Sequence, residues 1–271
     1  MTETHNGGRI ERVAGFDVGR VMTQGLRRRR LPAALCSDRL GAAGWLEFAF
    51  PQAQIGRDDR VPVPDTTTLP WRCVCQIVID GLHAEQALGT GWLAGPRTVF
   101  TAGHNLYSHK LGRRARRVTV MPGRCGDVAP FDYFRSVRFE VHPQWLAHGD
   151  ARFDLGVVWL DSDVGYDVGW FGFASRPDEA LAELIVNTAG YPADKRIGTQ
   201  WFNAGRISHI GTQSISYGLD TEGGQSGSPI YCVDAKEQRT VLAIHAYGGD
   251  AHNVGVRITD DVFDTLSDWV R

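Results

Sequence analysis

The chain has 271 residues, 42% of them hydrophobic and 22% charged, with a formal net charge of −2. That length holds one large domain or two modest ones, and the apolar fraction suffices to fill a core. The near-neutral balance gives no basis for nucleic acid or an anionic membrane as partner, and no apolar run approaches the ~18 residues of a membrane-spanning helix.

Residues 1–52 have a character of their own. Residues 2–8 are polar and read as a frayed end. Arg27-Arg28-Arg29-Arg30 reads as a solvated face. The apolar residues after it are too few for a secretory signal and end at Ser37-Asp38-Arg39. Trp45, Leu46, Phe48 and Phe50 form an apolar patch that is costly to leave in water and is expected to pack on the rest of the chain. Pro51, Pro62, Pro64 and Pro70 then punctuate an extended stretch that should wrap over the body of the protein.

From Arg72 onward the pattern is of short strands. Residues 74–79, 98–101, 118–121, 137–141 and 155–160 are β-branched or aromatic runs between Gly, Pro and Asp turns. Residues 184–188, 207–210, 214–219, 230–233, 241–245 and 254–258 continue the series. Many short strands at this spacing predict β-barrels. The last segment differs: Thr259 can cap a helix, Asp260 and Asp261 suit its positive end, and Val262, Phe263, Leu266, Trp269 and Val270 share one face. The five cysteines leave at least one unpaired, and Cys73 and Cys75 are too close for an easy disulfide. They read as buried thiols of a reducing compartment.

Glycines and serines crowd Thr221-Glu222-Gly223-Gly224-Gln225-Ser226-Gly227-Ser228-Pro229. A serine hydroxyl becomes a nucleophile when a base takes its proton and its oxygen stands clear of the backbone. A glycine-rich turn allows that, and it can aim the amides of Gly224 and Ser226 at one point, where a carbonyl oxygen turning negative is stabilised. Alone, the motif is equally a turn between strands. A base and an acid decide the matter. His104 ends the run Thr98-Val99-Phe100-Thr101-Ala102-Gly103-His104, and Asp154 opens the apolar Phe153-Asp154-Leu155-Gly156-Val157-Val158. The order is His104, Asp154, Ser226, at spacings of 50 and 72 residues. Asp150, Asp161 and Asp163 lack the strand-opening context.

This order and these contexts resemble the chymotrypsin-like serine proteases and, within them, the bacterial glutamyl endopeptidases, which cleave after Glu. The resemblance runs from about residue 53 to the C-terminus. It includes Ile55-Gly56-Arg57-Asp58-Asp59-Arg60, Gly89-Thr90-Gly91-Trp92-Leu93, Gly190-Tyr191-Pro192-Ala193-Asp194-Lys195, Ala243-Ile244-His245 and Arg257-Ile258-Thr259. It implies an all-β fold of two six-stranded antiparallel barrels with the active site between them, a C-terminal α-helix, an N-terminal extension over 1–52 and a protease domain over 53–271. It implies a serine endopeptidase acting on polypeptides, with His104 as base, Asp154 as its orienting acid, Ser226 as nucleophile, and the amides of Gly224 and Ser226 as oxyanion hole.

The same resemblance implies that Thr221 and His245 line the primary pocket and meet a substrate Glu carboxylate. Physically, a buried carboxylate needs donors or positive charge, and neither pocket stretch offers a lysine or arginine. The family's third pocket element is the mature N-terminal amine. Alignment on Asp58-Asp59-Arg60 puts it on Ala53, an internal residue here, which makes residues 1–52 a pro-segment or regulatory arm. Trypsin-type zymogens carry an aspartate before the nucleophile that pairs with a new N-terminus. Gln225 stands there, so that form of activation is unavailable. A disulfide found in some relatives would join Gly89 and Asn105, so both halves are absent. No cofactor and no metal site is expected, and a monomer is. The resembling family is exported while no signal is read here, so the compartment stays open. Two alternatives stand beside this reading: an intracellular regulatory protease of another specificity controlled by its N-terminal segment, and a catalytically silent peptide-binding homologue.

Overall fold

A computed structural model of the chain describes residues 2–6, 9–17, 29–36, 54–55, 57–83, 86–248 and 252–271. Two antiparallel barrels are built in chain order. In the first, the strands run Phe134–Ser136, Arg117–Pro122, Val74–Asp80, Ala87–Leu93, Thr98–Thr101, Gly156–Trp159 and Phe139–Val141. Its two end strands are parts of one run of chain, broken only at Val137 and Arg138. Ser136 Oγ makes that corner by donating to the Trp159 carbonyl at 2.6 Å and accepting the Arg138 N–H at 3.0 Å. The first barrel is therefore nearly closed.

The second barrel closes completely. Ile185–Gly190 lies between Pro229–Val233 and Trp201–Ile210, which leads through Ser214–Tyr217 and Asn253–Arg257 to Arg239–Gly248 and back to Pro229–Val233. The two-barrel expectation thus holds, with six strands in the closed member. Strand Ala87–Leu93, absent from the sequence expectation, is central to the first barrel. The strand expected over 207–210 begins earlier, at Trp201.

The helix Asp260–Trp269 ends the chain and buries Val262, Phe263, Leu266 and Trp269 against the core. Thr259 stands at its N-cap position, but its hydroxyl makes no capping bond and turns to Gln213 Oε1 at 3.3 Å. Trp159 Nε1 donates to the Trp269 carbonyl at 2.7 Å, so a helix that follows the second barrel is latched to the first. The extended stretch does wrap over both barrels. Val61–Pro62 pairs with Trp201 and Phe202 of the second, and Thr66 Oγ1 donates to the Gly123 carbonyl of the first.

Part of the N-terminal segment is also docked. Thr2–Asn6, expected to fray, pairs with Arg9–Ala14, which joins the second barrel's sheet through Gly172–Ser175. Leu31 and Leu35 are buried with Val78, Leu88 and Met121 of the first barrel. The buried Arg124 guanidinium donates to the Leu35 carbonyl at 2.7 Å and to Gln76 Oε1 at 2.6 Å. Arg29 and Arg30 are exposed, as a solvated face requires. The anchors expected at Trp45, Phe48 and Phe50 lie outside the described residues. All five cysteines are free; Cys73, Cys75 and Cys232 are buried, whereas Cys36 is half-buried and Cys125 is exposed, which corrects the buried reading for those two.

Leu266 is wholly removed from solvent. Leu266→Ala should lower the unfolding free energy by about 2–5 kcal/mol through lost burial and the cavity left behind. Urea denaturation measures it, and a change within about 0.5 kcal/mol would mean that the helix is not part of the core.

Candidate active site

The seam between the barrels gathers the turns that carry His104, Asp154 and Ser226. His104 sits in a single tight turn, Gly103–Asn105, directly after strand Thr98–Thr101. Asp154 follows the turn Ala151–Phe153 and precedes strand Gly156–Trp159. Those two strands are neighbours, which brings the two side chains together. His104 Nδ1 lies 2.6 Å from Asp154 Oδ2, and the His104 backbone N–H donates to Asp154 Oδ1 at 2.7 Å. Asp154 is fully buried, while His104 keeps partial access to solvent. With Nδ1–H given to the carboxylate, Nε2 is the nitrogen left to accept a proton.

Ser226 lies in the turn that leads into strand Pro229–Val233. Gly224 and Gly227 flank it with φ of 91° and 90°, a region that side chains rarely adopt. At Gly227 a Cβ would also stand 2.1 Å from the Thr90 carbonyl oxygen. The turn is held from the first barrel. The Ser226 carbonyl accepts the Thr90 N–H at 3.0 Å and Asn105 Nδ2 at 2.9 Å, and Thr90 Oγ1 donates to the Gly224 carbonyl at 2.8 Å. Asn105 is the residue after His104, so the serine turn is one hydrogen bond from the histidine turn.

His245 pairs with the chain that carries Ser226, and Thr221 lies five residues before that serine. His245 lies in strand Arg239–Gly248, where its N–H donates to the Ser228 carbonyl and its carbonyl accepts the Gly227 N–H. Its ring is fully buried, with Nδ1 2.6 Å from the Tyr217 hydroxyl. Its Nε2 has no partner among the described residues, and neither has the buried Thr221 Oγ1. Ala53 lies outside the described residues.

Three further residues shape the seam; the sequence marks Asn105 only as the position facing Gly89 and does not single out Tyr217 or Tyr247. Asn105 fills the place where a side chain opposite Gly89 meets the serine turn; its signal was a lone polar residue beside the histidine. Tyr217 fixes His245, yet in sequence it reads as one more core aromatic. Tyr247 packs its ring 6.1 Å from that of His104, and burial, then the Asp154 charge, pushes its phenol up.

Burial, with the charge of His104 adding to it, pushes the His245 imidazole from 6.5 down to about 3. Between those two values the unfolded chain takes a proton here that the folded chain refuses, so stability falls as the pH is lowered through the window. Urea titrations from pH 7 to pH 4 should therefore show a smaller loss for His245→Gln than for the parent. Equal losses would mean that the folded protein tolerates a charged His245.

Comparison with known proteins gives the arrangement its context. The trypsin-like peptidase domain family matches residues 89–243. A glutamyl endopeptidase of Bacillus licheniformis is 39% identical over 226 residues, covering 79% of this chain and 68% of that protein. A glutamyl endopeptidase of Staphylococcus epidermidis is 41% identical over 223 residues, covering 79% of this chain and 73% of that protein. The solved structure of a Glu endopeptidase in complex with MPD superimposes with a TM-score of 0.71 at 25% identity, covering 80% of this chain and 98% of that one. The chain belongs to the trypsin-like serine endopeptidases, as a homologue of the glutamyl endopeptidases.

Proposed function

We propose that this serine endopeptidase cleaves after glutamate, and less readily after aspartate, with Ser226 as nucleophile, His104 as general base and acid, and Asp154 as its orienting carboxylate. The observation that carries the glutamate preference is the pair of buried, unpartnered polar atoms, His245 Nε2 and Thr221 Oγ1. A buried donor left without an acceptor costs about 1–3 kcal/mol, which a substrate carboxylate recovers. The held-down basicity of His245 keeps it neutral when the pocket is empty. The Tyr217 hydroxyl then donates to Nδ1 and leaves the hydrogen on Nε2, the tautomer that a carboxylate needs.

In the reaction, Ser226 Oγ adds to the scissile carbonyl carbon as its proton passes to His104 Nε2. Asp154 stabilises the imidazolium through Nδ1–H. The amides of Gly224 and Ser226 meet the oxygen that becomes negative. His104 then protonates the leaving amine, and the C–N bond breaks to leave an acyl group on Ser226 Oγ. Water attacks that ester by the same route, giving up its proton to His104, and the second product leaves as the serine is restored.

Residues 53–271 form the protease domain in this reading, and residues 1–52 a pro-segment or regulatory arm. While the arm is joined, the primary pocket lacks the amine of Ala53, and the carboxylate rests on His245 and Thr221 alone.

A peptide panel that varies only the residue before the cut tests the preference. Ser226→Ala should lose turnover by a factor of the order of 10⁶ with the fold intact. His245→Ala should lose its preference for Glu over Gln but still react with a small fluorophosphonate. A retained preference would remove His245 from the pocket, and undiminished turnover would remove Ser226 from the mechanism.

Cleavage between Gln52 and Ala53 should raise activity on Glu peptides by about 10- to 100-fold, the value of one charge-assisted bond. Assays of the full chain beside a chain starting at Ala53 measure it. Equal activity would leave the arm as a docking element and take the amine out of the pocket.

A further inference from the structure

Arg60 is the most constrained cation beside the serine turn. Its side chain is 1% exposed. The guanidinium makes paired bonds to two carboxylates. It meets Asp58 with Nε–Oδ1 and Nη2–Oδ2 both at 2.9 Å, and Asp194 with Nη1–Oδ1 at 3.1 Å and Nη2–Oδ2 at 2.6 Å. Nη1 also donates to Gln225 Oε1 at 3.3 Å. That oxygen accepts a second hydrogen bond, from the Glu222 N–H at 3.0 Å. Gln225 is buried and directly precedes Ser226. The Ala193 N–H donates to the Gly223 carbonyl at 2.7 Å, so the segment that carries Asp194 also braces the serine turn.

Neutralising the two carboxylates does not account for this arrangement. Lys195 Nζ already serves Asp58 at 2.7 Å and Asp194 at 3.4 Å. What lysine lacks is a planar fork that satisfies two carboxylates and still reaches a third acceptor. Burial alone would lower the basicity of Arg60, but the hydrogen bonds and charges of Asp58 and Asp194 outweigh it. The same contact from Arg60 holds Asp58 well below its usual 3.8. The contact between Arg60 and Asp58 therefore favours the charged form of both groups.

The segment that brings Arg60 here is already seated with residues 1–52 attached. The backbone N–H groups of Ile55 and Asp59 both donate to the Asp220 carboxylate, one residue before Thr221.

We propose that Arg60 is the positioning residue of the Ser226 turn. Through Gln225 Oε1 it holds residues 222–226 in the shape that presents the amides of Gly224 and Ser226, so an internal guanidinium sets the turn and no newly released amino terminus is needed. The inference rests on reading Ser226 as the nucleophile.

Gln225→Met keeps the volume and both ion pairs but removes the acceptor. Its kcat, and its rate of labelling by a small fluorophosphonate, should fall about 10- to 100-fold, as expected for a lost bond to a charged group. KM and the Glu-over-Gln ratio should not move, and Gln225→Glu, which keeps an acceptor for Arg60, should hold the parental rate. Arg60→Lys should lose a similar factor, and the double variant should lose no more than either single one, because all three break the same contact. The factor should be the same in the full chain and in the chain starting at Ala53. Parental kcat in folded Gln225→Met, or losses that multiply in the double variant, overturns the proposal. Gln225→Met decides should Arg60→Lys not fold, and rescue by Gln225→Glu decides should Gln225→Met not fold. Labelling of Ser226→Ala separates the two levels: if it persists, the nucleophile reading fails. If it is lost while Gln225→Met labels at the parental rate, only the role of Arg60 fails.

Discussion

The Ser226 carbonyl belongs to the second barrel but takes its hydrogen bonds from the first, from the Thr90 N–H and from Asn105 Nδ2. A buried carbonyl that lost both would bear the full cost of desolvation, so the barrels cannot slide past each other without penalty. Thr90 contributes twice more. Its hydroxyl holds the Gly224 carbonyl, and its own carbonyl accepts Thr101 Oγ1 at 2.7 Å. Thr101 in turn accepts Asn105 Nδ2 at 2.9 Å, which closes a polar loop around the seam. Because Asn105 neighbours His104, the bond that locates the serine turn also fixes its separation from the imidazole. A hydrogen-bonded network of this kind is rigid, and rigidity is what the proposed general-base chemistry needs.

Charge is distributed around that seam with a consistent logic. Where a charge is buried it has a fixed partner: Asp154 holds His104, and Arg60 is forked between Asp58 and Asp194. In the pocket proposed for a substrate carboxylate, the protein offers polar atoms that are not yet used and an imidazole kept neutral by burial. A lysine at the same depth would itself need a counter-ion in the empty state, and the pocket would be filled before substrate arrived. In the proposed pocket a neutral imidazole would leave the site empty and would become a charge-assisted donor once a carboxylate bound.

Much of this was legible in the sequence, and the reasons are physical. The His104, Asp154 and Ser226 contexts are legible because the chemistry proposed for them needs small residues and tight turns beside each group, and those residues are adjacent in the chain. Strands such as Val74–Asp80 and Gly156–Trp159 are legible because β-branched and aromatic side chains fill a barrel interior. Strand Ala87–Leu93 is hidden by its glycines. Gly89 is there because a Cβ would stand 2.7 Å from Asn105 Nδ2, so the feature that makes the seam close is the one that erases the strand signal. The role of Arg60 is hidden for a different reason. Its partners Asp194 and Gln225 lie 134 and 165 residues away, so the motif Asp58-Asp59-Arg60 marks the residue without showing what it holds. Tyr217 has the same difficulty, since only the fold brings its hydroxyl to His245.

The N-terminal segment touches the body of the protein in two separable ways. Leu31 and Leu35 cover Val78, Leu88 and Met121, which without them would meet water, and Arg9–Ala14 extends the sheet of the second barrel. These contacts stabilise by apolar burial and by backbone pairing, and neither depends on the covalent link at residues 52 and 53. The strap that follows is held by Asp220, Asp58 and Asp194 on its own account. A cut between the two parts would therefore leave both the apolar cover and the strap in place. The strap and the arm are thus held separately: the strap by hydrogen bonds and ion pairs to Asp220 and Asp194, the arm by hydrophobic burial at Leu31 and Leu35 and by backbone pairing at Arg9–Ala14.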